Sequence, residues 1–170
     1  MPTFQLRLRL AVPSHSLWVA MAETTELFPK LAPHIISDIK VIEGEDAEVD
    51  SIRHIKYKSN QTGGKYVKEK LIYVDLDGME ATTMEIEGGH LAEGFTKWEM
   101  TLRIDSIDAQ TCIIRISVNY DCKSGFNPEA NIARSQAEMR SLLKRMEQYI
   151  VKTGLYSVDR IYTPNTQKVA

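Results

Sequence analysis

Few side chains in this sequence are placed to do chemistry, and the most informative are Glu69, Glu85 and His90. Around Glu69 the apolar residues Val67, Leu71 and Tyr73 recur at every second position, while Lys68, Lys70 and Ile72 take the alternate places. Strand parity therefore turns the Glu69 carboxylate toward the interior. A carboxylate among apolar groups is costly unless it is paired, hydrated or protonated. Glu69 is accordingly either a ligand contact or part of a water-bridged structural site. For Glu85 the local alternation puts Met84 and Ile86 inside and leaves the acid in solvent. His90 follows the Gly88-Gly89 turn, where an imidazole is an ordinary surface residue, a polar contact or a general base. His15, His34, His54 and His90 lack the close spacing of metal ligands, so no metal site is expected. No serine or cysteine has an evident base beside it in sequence, so no catalytic residue is assigned, and no cofactor is expected.

The bulk properties narrow the setting. A chain of 170 residues with 43% hydrophobic content suffices for one ordinary domain with a real core. A net charge of −2 and basic residues scattered among acids argue against a nucleic-acid partner. No apolar run approaches the roughly 18–20 residues of a membrane span, and residues 1–11 alternate in polarity, unlike a signal peptide. Cys112 and Cys122, if on one strand, lie roughly 33 Å apart at about 3.3 Å per residue, far beyond bridging distance. They read as free thiols in a reducing, cytoplasmic setting. In that setting the Asn60-Gln61-Thr62 sequon is inert.

The elements that position these residues are legible from periodicity. Phe4, Leu6, Leu8 and Leu10 alternate with Gln5, Arg7 and Arg9 as in a half-buried strand. Ser14 or Ser16 is a candidate N-cap for a helix that turns Trp18, Met21 and Ala22 inward. A second helical piece runs through Leu27 and Phe28, and Pro29 and Pro33 keep both short. Further strands are expected at residues 35–42, 51–58, 65–73, 79–86, 96–105 and 111–121, with a loop over 60–64. Asp77-Gly78 forms a hairpin between the fourth and fifth. Trp98, Met100, Leu102 and Ile104 share one face of the sixth strand, and Cys112, Ile114, Ile116, Val118 and Tyr120 one face of the seventh. Seven strands, mostly successive, make an antiparallel meander the economical topology. The last element is a helix of about 25 residues, with Asn127 as N-cap, Pro128 at its first position and Gly154 beyond its end. Ile132, Met139, Leu142, Leu143, Met146 and Ile150 form its apolar stripe, which Ser135 and Gln136 interrupt.

Three segments, Leu27-Phe28-Pro29-Lys30-Leu31-Ala32-Pro33, Lys65-Tyr66-Val67-Lys68-Glu69 and Ile86-Glu87-Gly88-Gly89, resemble the major birch pollen allergen (Bet v 1) family. These are the plant pathogenesis-related class-10 proteins, and the motifs stand in matching order from about residue 3 to about 155. The resemblance implies an α+β helix-grip (START-like) fold: a curved seven-stranded antiparallel sheet round one long C-terminal helix, two short supporting helices, and a large internal cavity. It assigns residues 1–157 to one ligand-binding domain and 158–170 to a polar tail. It implies carriage or storage of a small hydrophobic or amphipathic plant ligand, a hormone such as a cytokinin or a defence-related secondary metabolite, by a monomer or weak dimer. The alternative is an enzyme like the norcoclaurine synthases, acting on alkaloid precursors. A ribonuclease is opposed by the charge.

Residue by residue, the resemblance implies that Glu69 accepts a hydrogen bond from the ligand, as an acid does in the phytohormone-binding branch. The family register turns Glu85 inward with Ala81 and Thr83, against the local alternation. An inward Glu85 gives a pocket with two acids, suited to ligands with amine, amide or hydroxyl donors. His90 falls at the cavity mouth, where norcoclaurine synthases carry Tyr with an acid two residues on. This chain has His90 and Ala92. Abscisic acid receptors, more distant, have a latch histidine after a similar pair of glycines, but their gate sequence has no counterpart here. Val67, Leu71, Thr83, Trp98, Met100, Ile116, Val118, Tyr120, Met139, Leu142 and Leu143 complete the expected lining. Burying about 300 Å² of ligand at about 25 cal/mol per Å² is worth roughly 7 kcal/mol before entropy costs, enough for micromolar binding. One departure stands out. Ile42-Glu43-Gly44 is followed by Glu45-Asp46-Ala47-Glu48-Val49-Asp50 in place of the family's glycine-rich loop, and these carboxylates would repel phosphate.

Overall fold

The computed structural model describes residues 2–58 and 65–154. The expectations for the 60–64 loop, the Asn60 sequon and the tail at 158–170 lie outside them. The elements run β1 (Thr3–Leu10), α1 (Ser14–Ala22), α2 (Thr24–Leu31), β2 (Ile36–Glu43), β3 (Ile52–Tyr57), β4 (Tyr66–Asp75), β5 (Glu80–Gly88), β6 (Phe95–Asp108), β7 (Thr111–Cys122) and α3 (Glu129–Thr153). The seven strands form one open antiparallel sheet in the order β1-β7-β6-β5-β4-β3-β2. Five of the six neighbouring pairs are consecutive in sequence, as a meander requires. The sixth brings β1 against β7, where Leu6 pairs with Ile116 and Leu10 with Cys112.

Strand β1 buries Leu6 and Leu10 as its alternation predicts. They join Leu17, Phe95, Ile114, Val118, Met146 and Ile150 in the main core, between β1, β6 and β7 on one side and α1 with the second half of α3 on the other. A smaller cluster of Ile36, Ile39, Ile55 and Val67 lies under β2–β4. Ile36 and Ile39 both point inward because a register shift between Ile36 and Asp38 interrupts the period of two.

The long helix is capped as its sequence indicates. The Asn127 Oδ1 accepts the Glu129 N–H at 3.1 Å, Pro128 is already in the helical region, and Gly154 adopts the left-handed conformation at φ 60°. Elsewhere local reading gives way. Neither Ser14 nor Ser16 caps α1: Pro13 stands at that position, and Ser16 is buried within the helix. Helix α2 runs through Pro29 and ends two residues later at Leu31, so Pro29 falls in the last turn rather than at the boundary. Asp77-Gly78 lies in a longer connection over residues 76–79, not a two-residue turn. The Asp75 carboxylate accepts the Gly78 N–H at 3.0 Å, and Met79 takes the positive φ.

Candidate ligand-binding site

Two irregularities in the β4–β5 pair decide which side chains face α3. Val67 pairs with Gly88 and Lys68 with Glu87, but Glu69 pairs with Glu85, so Ile86 is an extra residue in β5. The inserted residue swings outward, leaving Ile86 40% exposed, and puts Glu85 on the inner face with Thr83 and Ala81. The local alternation that placed Met84 and Ile86 inside is therefore overturned. The second shift falls between Leu71 and Tyr73. It turns Tyr73 out to 46% exposure and brings Val74 in, so the expected inward face of Val67, Leu71 and Tyr73 fails at its last member.

Between this face, α1–α2 and the first half of α3 lies a pocket of about 300 Å³. That volume is at the lower end of the roughly 300–1,000 Å³ typical of small-molecule sites. Of the residues expected to line it, Glu69, Leu71, Thr83, Glu85 and His90 do so from the β4–β5 side. Trp98, Met100 and Ile116 do so from β6–β7, and Met139, Leu142 and Leu143 from α3. Val67, Val118 and Tyr120 do not border it. Val67 is buried beneath the glycine turn, Val118 is wholly within the main core, and Tyr120 packs against Phe4, Phe95 and Trp98. Ala22, Asp46, Ala47 and Leu76 are exposed and also border the pocket, so it reaches the surface beside the acidic loop.

The polar groups in this apolar wall fall into two clusters. In the first, Arg53 on β3 pairs with Glu69 and donates from Nη1 to the Thr24 hydroxyl at 2.6 Å. Arg53, Ile55 and Tyr57 share the inward parity of β3. In the second, the Glu85 carboxylate accepts the His90 backbone N–H at 2.8 Å through Oε2 and lies 2.7 Å from His90 Nδ1 through Oε1. The other ring nitrogen, Nε2, lies 2.7 Å from Ser135 Oγ on α3. Glu69 and Glu85 face each other across the strand pair, an arrangement of like charges that is unfavourable alone. The guanidinium beside Glu69 and the hydrogen bonds between His90 and Glu85 offset it.

The glycine pair makes the second cluster possible. A Cβ on Gly89, whose φ is +54°, would lie 2.6 Å from the Glu85 Oε2 and from a Val67 methyl. Only a bare backbone lets the carboxylate reach the His90 N–H. The imidazole lies flat on Trp98, with ring centroids 3.5 Å apart and planes within 4°, and Phe95 meets it edge-on at 5.6 Å. Burial raises the Tyr57 phenol well above its ordinary pKa, with the Glu85 charge the next cause and Glu69 after it. Tyr57 thus stays a protonated O–H donor in the pocket.

Sequence reasoning missed Ser135, Arg53 and Tyr57. Ser135 stands three residues after Ile132 and four before Met139, on the inward stripe of α3, and its polarity there was the signal. Arg53 and Tyr57 flank Ile55 with period two, a pattern obscured by the burial of Ile52 on the opposite parity.

A sheet gripping one long helix over a mostly apolar pocket defines the helix-grip class of ligand-binding folds. Residues 3–153 match the profile of the pathogenesis-related protein Bet v 1 family, and the chain belongs to that family. It is 28% identical over 132 residues to pathogenesis-related protein 1 of Asparagus officinalis, spanning 78% of this chain and 82% of the relative. It is 27% identical over 134 residues to norbelladine synthase of Narcissus pseudonarcissus, with the same coverage of 78% and 82%. Major pollen allergen Bet v 1-B of Betula pendula is 29% identical over 142 residues, 82% of this chain and 88% of the allergen. The fold is similar to that of Ara h 8.0201, with a TM-score of 0.78, 22% identity, and coverage of 89% of this chain and 99% of that one. It is also similar to norcoclaurine synthase of Thalictrum flavum in complex with dopamine and hydroxybenzaldehyde, at TM-score 0.76 and 19% identity, covering 89% and 87%. Among the described residues no helix is long and apolar enough to cross a membrane.

Proposed function

We propose that the chain binds a small amphipathic plant molecule, a hormone such as a cytokinin or a secondary metabolite, in the pocket under α3, and stores or carries it in the cytoplasm. The observation that carries this reading is an apolar wall interrupted by the Arg53–Glu69 pair and the Glu85–His90 pair. Each acid already has a partner within the protein, but a carboxylate offers about four acceptor sites. Each therefore retains capacity for an N–H or O–H of the ligand, while the apolar wall supplies the burial energy. The pocket's volume favours a compact, one- or two-ring molecule. Calorimetric titration with an adenine-type cytokinin, a flavonoid and an apolar dye tests this, with micromolar affinity expected for at least one. Absence of binding by all three at tens of micromolar overturns it.

A second reading is an enzyme acting on alkaloid precursors, in the manner that the name of the Narcissus relative suggests. The imidazole–carboxylate pair inside the pocket favours it, since such a pair is a competent general base. Condensation of dopamine with an aldehyde, abolished by His90→Ala, supports this reading. No product above the uncatalysed background removes it.

A further inference from the structure

The three side chains Glu85, His90 and Ser135 stand in the order acid, base, nucleophile. Carboxylate to Nδ1 and Nε2 to hydroxyl are each 2.7 Å, within the hydrogen-bond reach such a relay needs. They come from three elements, β5, the 3-10 turn at Gly89–Ala92 and α3, 45 residues separating His90 from Ser135. No local structural preference accounts for the contact. A serine inside a helix commonly turns its hydroxyl back to a carbonyl of the preceding turn. Ser135 instead meets the imidazole, at 2% exposure, and borders the pocket.

The tautomer follows from the partners. Glu85 also holds the His90 N–H, so its carboxylate is fixed and accepts from Nδ1–H. Nε2 is then left to accept the serine proton. The Trp98 face against the ring stabilises the imidazolium that forms once the proton moves. Tyr57 lines the same pocket, and burial keeps its phenol protonated there.

We infer that Ser135 is a nucleophile for acyl transfer, and that the protein cleaves esters of compact hydrophobic acids or alcohols that enter the pocket. The inference rests on the pocket being a ligand site. The Ser135 Oγ bonds to the ester carbonyl carbon as its proton passes to His90 Nε2. The C–O bond to the alcohol then breaks, and the leaving alkoxide takes that proton. Water attacks the acyl-serine, gives its proton to Nε2, and the C–Oγ bond breaks with the proton returning to Oγ. The products are one acid and one alcohol.

The test uses the full chain, an apolar fluorescent dye, a fluorophosphonate probe and p-nitrophenyl butyrate. Intact mass is expected to rise by one probe adduct, mapped by peptide sequencing to Ser135. Release of p-nitrophenol is expected to fall by about a hundredfold or more in Ser135→Ala and in Glu85→Gln, with the fold verified by circular dichroism. Mapping on the wild-type chain decides even where a variant fails to fold. A protein that binds the dye but takes no adduct, takes it at another residue, or keeps its turnover in folded Ser135→Ala overturns the inference and leaves the binding function standing. Exclusion of both dye and probe removes the two together.

Discussion

The half of the sheet made by β1, β7 and β6 and the half made by β2–β5 lie under one helix but bury opposite things. The first half is solid except where Trp98, Met100 and Ile116 reach the pocket: Leu10, Leu17, Phe95, Ile114, Val118 and Met146 leave almost no accessible surface. The second has the smaller Ile36, Ile39, Ile55 and Val67 cluster as apolar core, beside a pocket containing Arg53, Glu69, Glu85 and His90. Helix α3 divides the same way, with Met146 and Ile150 in the solid core, Ser135, Met139 and Leu142 at the pocket, and Leu143 between them bordering both. One half supplies most of the apolar core, and the other supplies the charged groups of the pocket wall.

Truncation is the hardest test of this division. Phe95→Ala removes a ring packed edge-on against His90, Trp98, Tyr120 and Phe126, and is expected to cost about 3–5 kcal/mol. Leu142→Ala at the pocket wall, where existing space adjoins the side chain, is expected to cost about 1–2 kcal/mol, below the usual range for a core leucine. Urea unfolding of both variants measures the difference, and equal losses would erase the distinction between the halves.

The hollow half is expected to be most sensitive at its charges. Arg53 and Glu69 side chains are only 20% and 15% exposed, so Arg53→Met leaves Glu69 without its cation and opposite Glu85. A fully buried pair broken this way loses roughly 3–5 kcal/mol, and partial exposure reduces the expectation to about 2 kcal/mol. The double variant Arg53→Met, Glu69→Met is expected to regain most of that loss while weakening binding of a donor-bearing ligand. A double-mutant cycle on urea midpoints reads the coupling, and additive losses would mean the pair is not a unit.

The solid half has its own titration. Cys112 is fully buried, and burial pushes its thiol from 9.0 up to about 11, with the Glu147 charge a lesser cause. A folded-state pKa above the unfolded one gives stability that is complete below about pH 9 and lost as pH rises through about 11. At pH 10 the loss amounts to roughly 1 kcal/mol. The half-buried Cys122 sits at the far end of the same strand, β7, and the two thiols are free. A thiol-specific disulfide reagent at pH 8 is expected to titrate Cys122 in the native protein and both residues in denaturant. Rapid native reaction of Cys112 would show that the core opens.

The same division explains what periodicity could and could not reveal. In the solid half the β1–β7 register runs unbroken from Thr3 to Leu10, and alternation picks out Leu6, Leu10, Ile114, Ile116 and Val118 without error. In the hollow half, register shifts in β2 and between β4 and β5 break the period, so alternation misplaces Tyr73, Met84 and Ile86. The family resemblance, which carries the register through the Ile86-Glu87-Gly88-Gly89 motif, placed Glu85 correctly where local parity did not. Ser135 was visible as a polar interruption of the α3 stripe. Its meeting with His90, 45 residues away, is tertiary and has no local signature.

The smallest expected effect lies at the rim of the hollow half, in the acidic loop that departs from the family's glycine-rich pattern. Ala47 and Asp50 adopt φ values of 64° and 72°, the left-handed region where an L side chain crowds its own backbone by about 1–2 kcal/mol. Glycine removes that strain but loses about 0.5–1 kcal/mol more chain entropy on folding. Ala47→Gly is therefore expected to stabilise by about 0.5 kcal/mol, a shift in melting temperature of about 1–2 °C for a domain of this size. Asp50→Gly also loses the 3.5 Å ion pair with Lys70 and is expected to gain less. Because Ala47 borders the pocket where it opens, the glycine variant should speed dye exchange more than it changes dye affinity. Differential scanning calorimetry with stopped-flow dye release separates the two effects. A destabilised Ala47→Gly with unchanged release would mean that this loop braces the fold and does not gate the pocket.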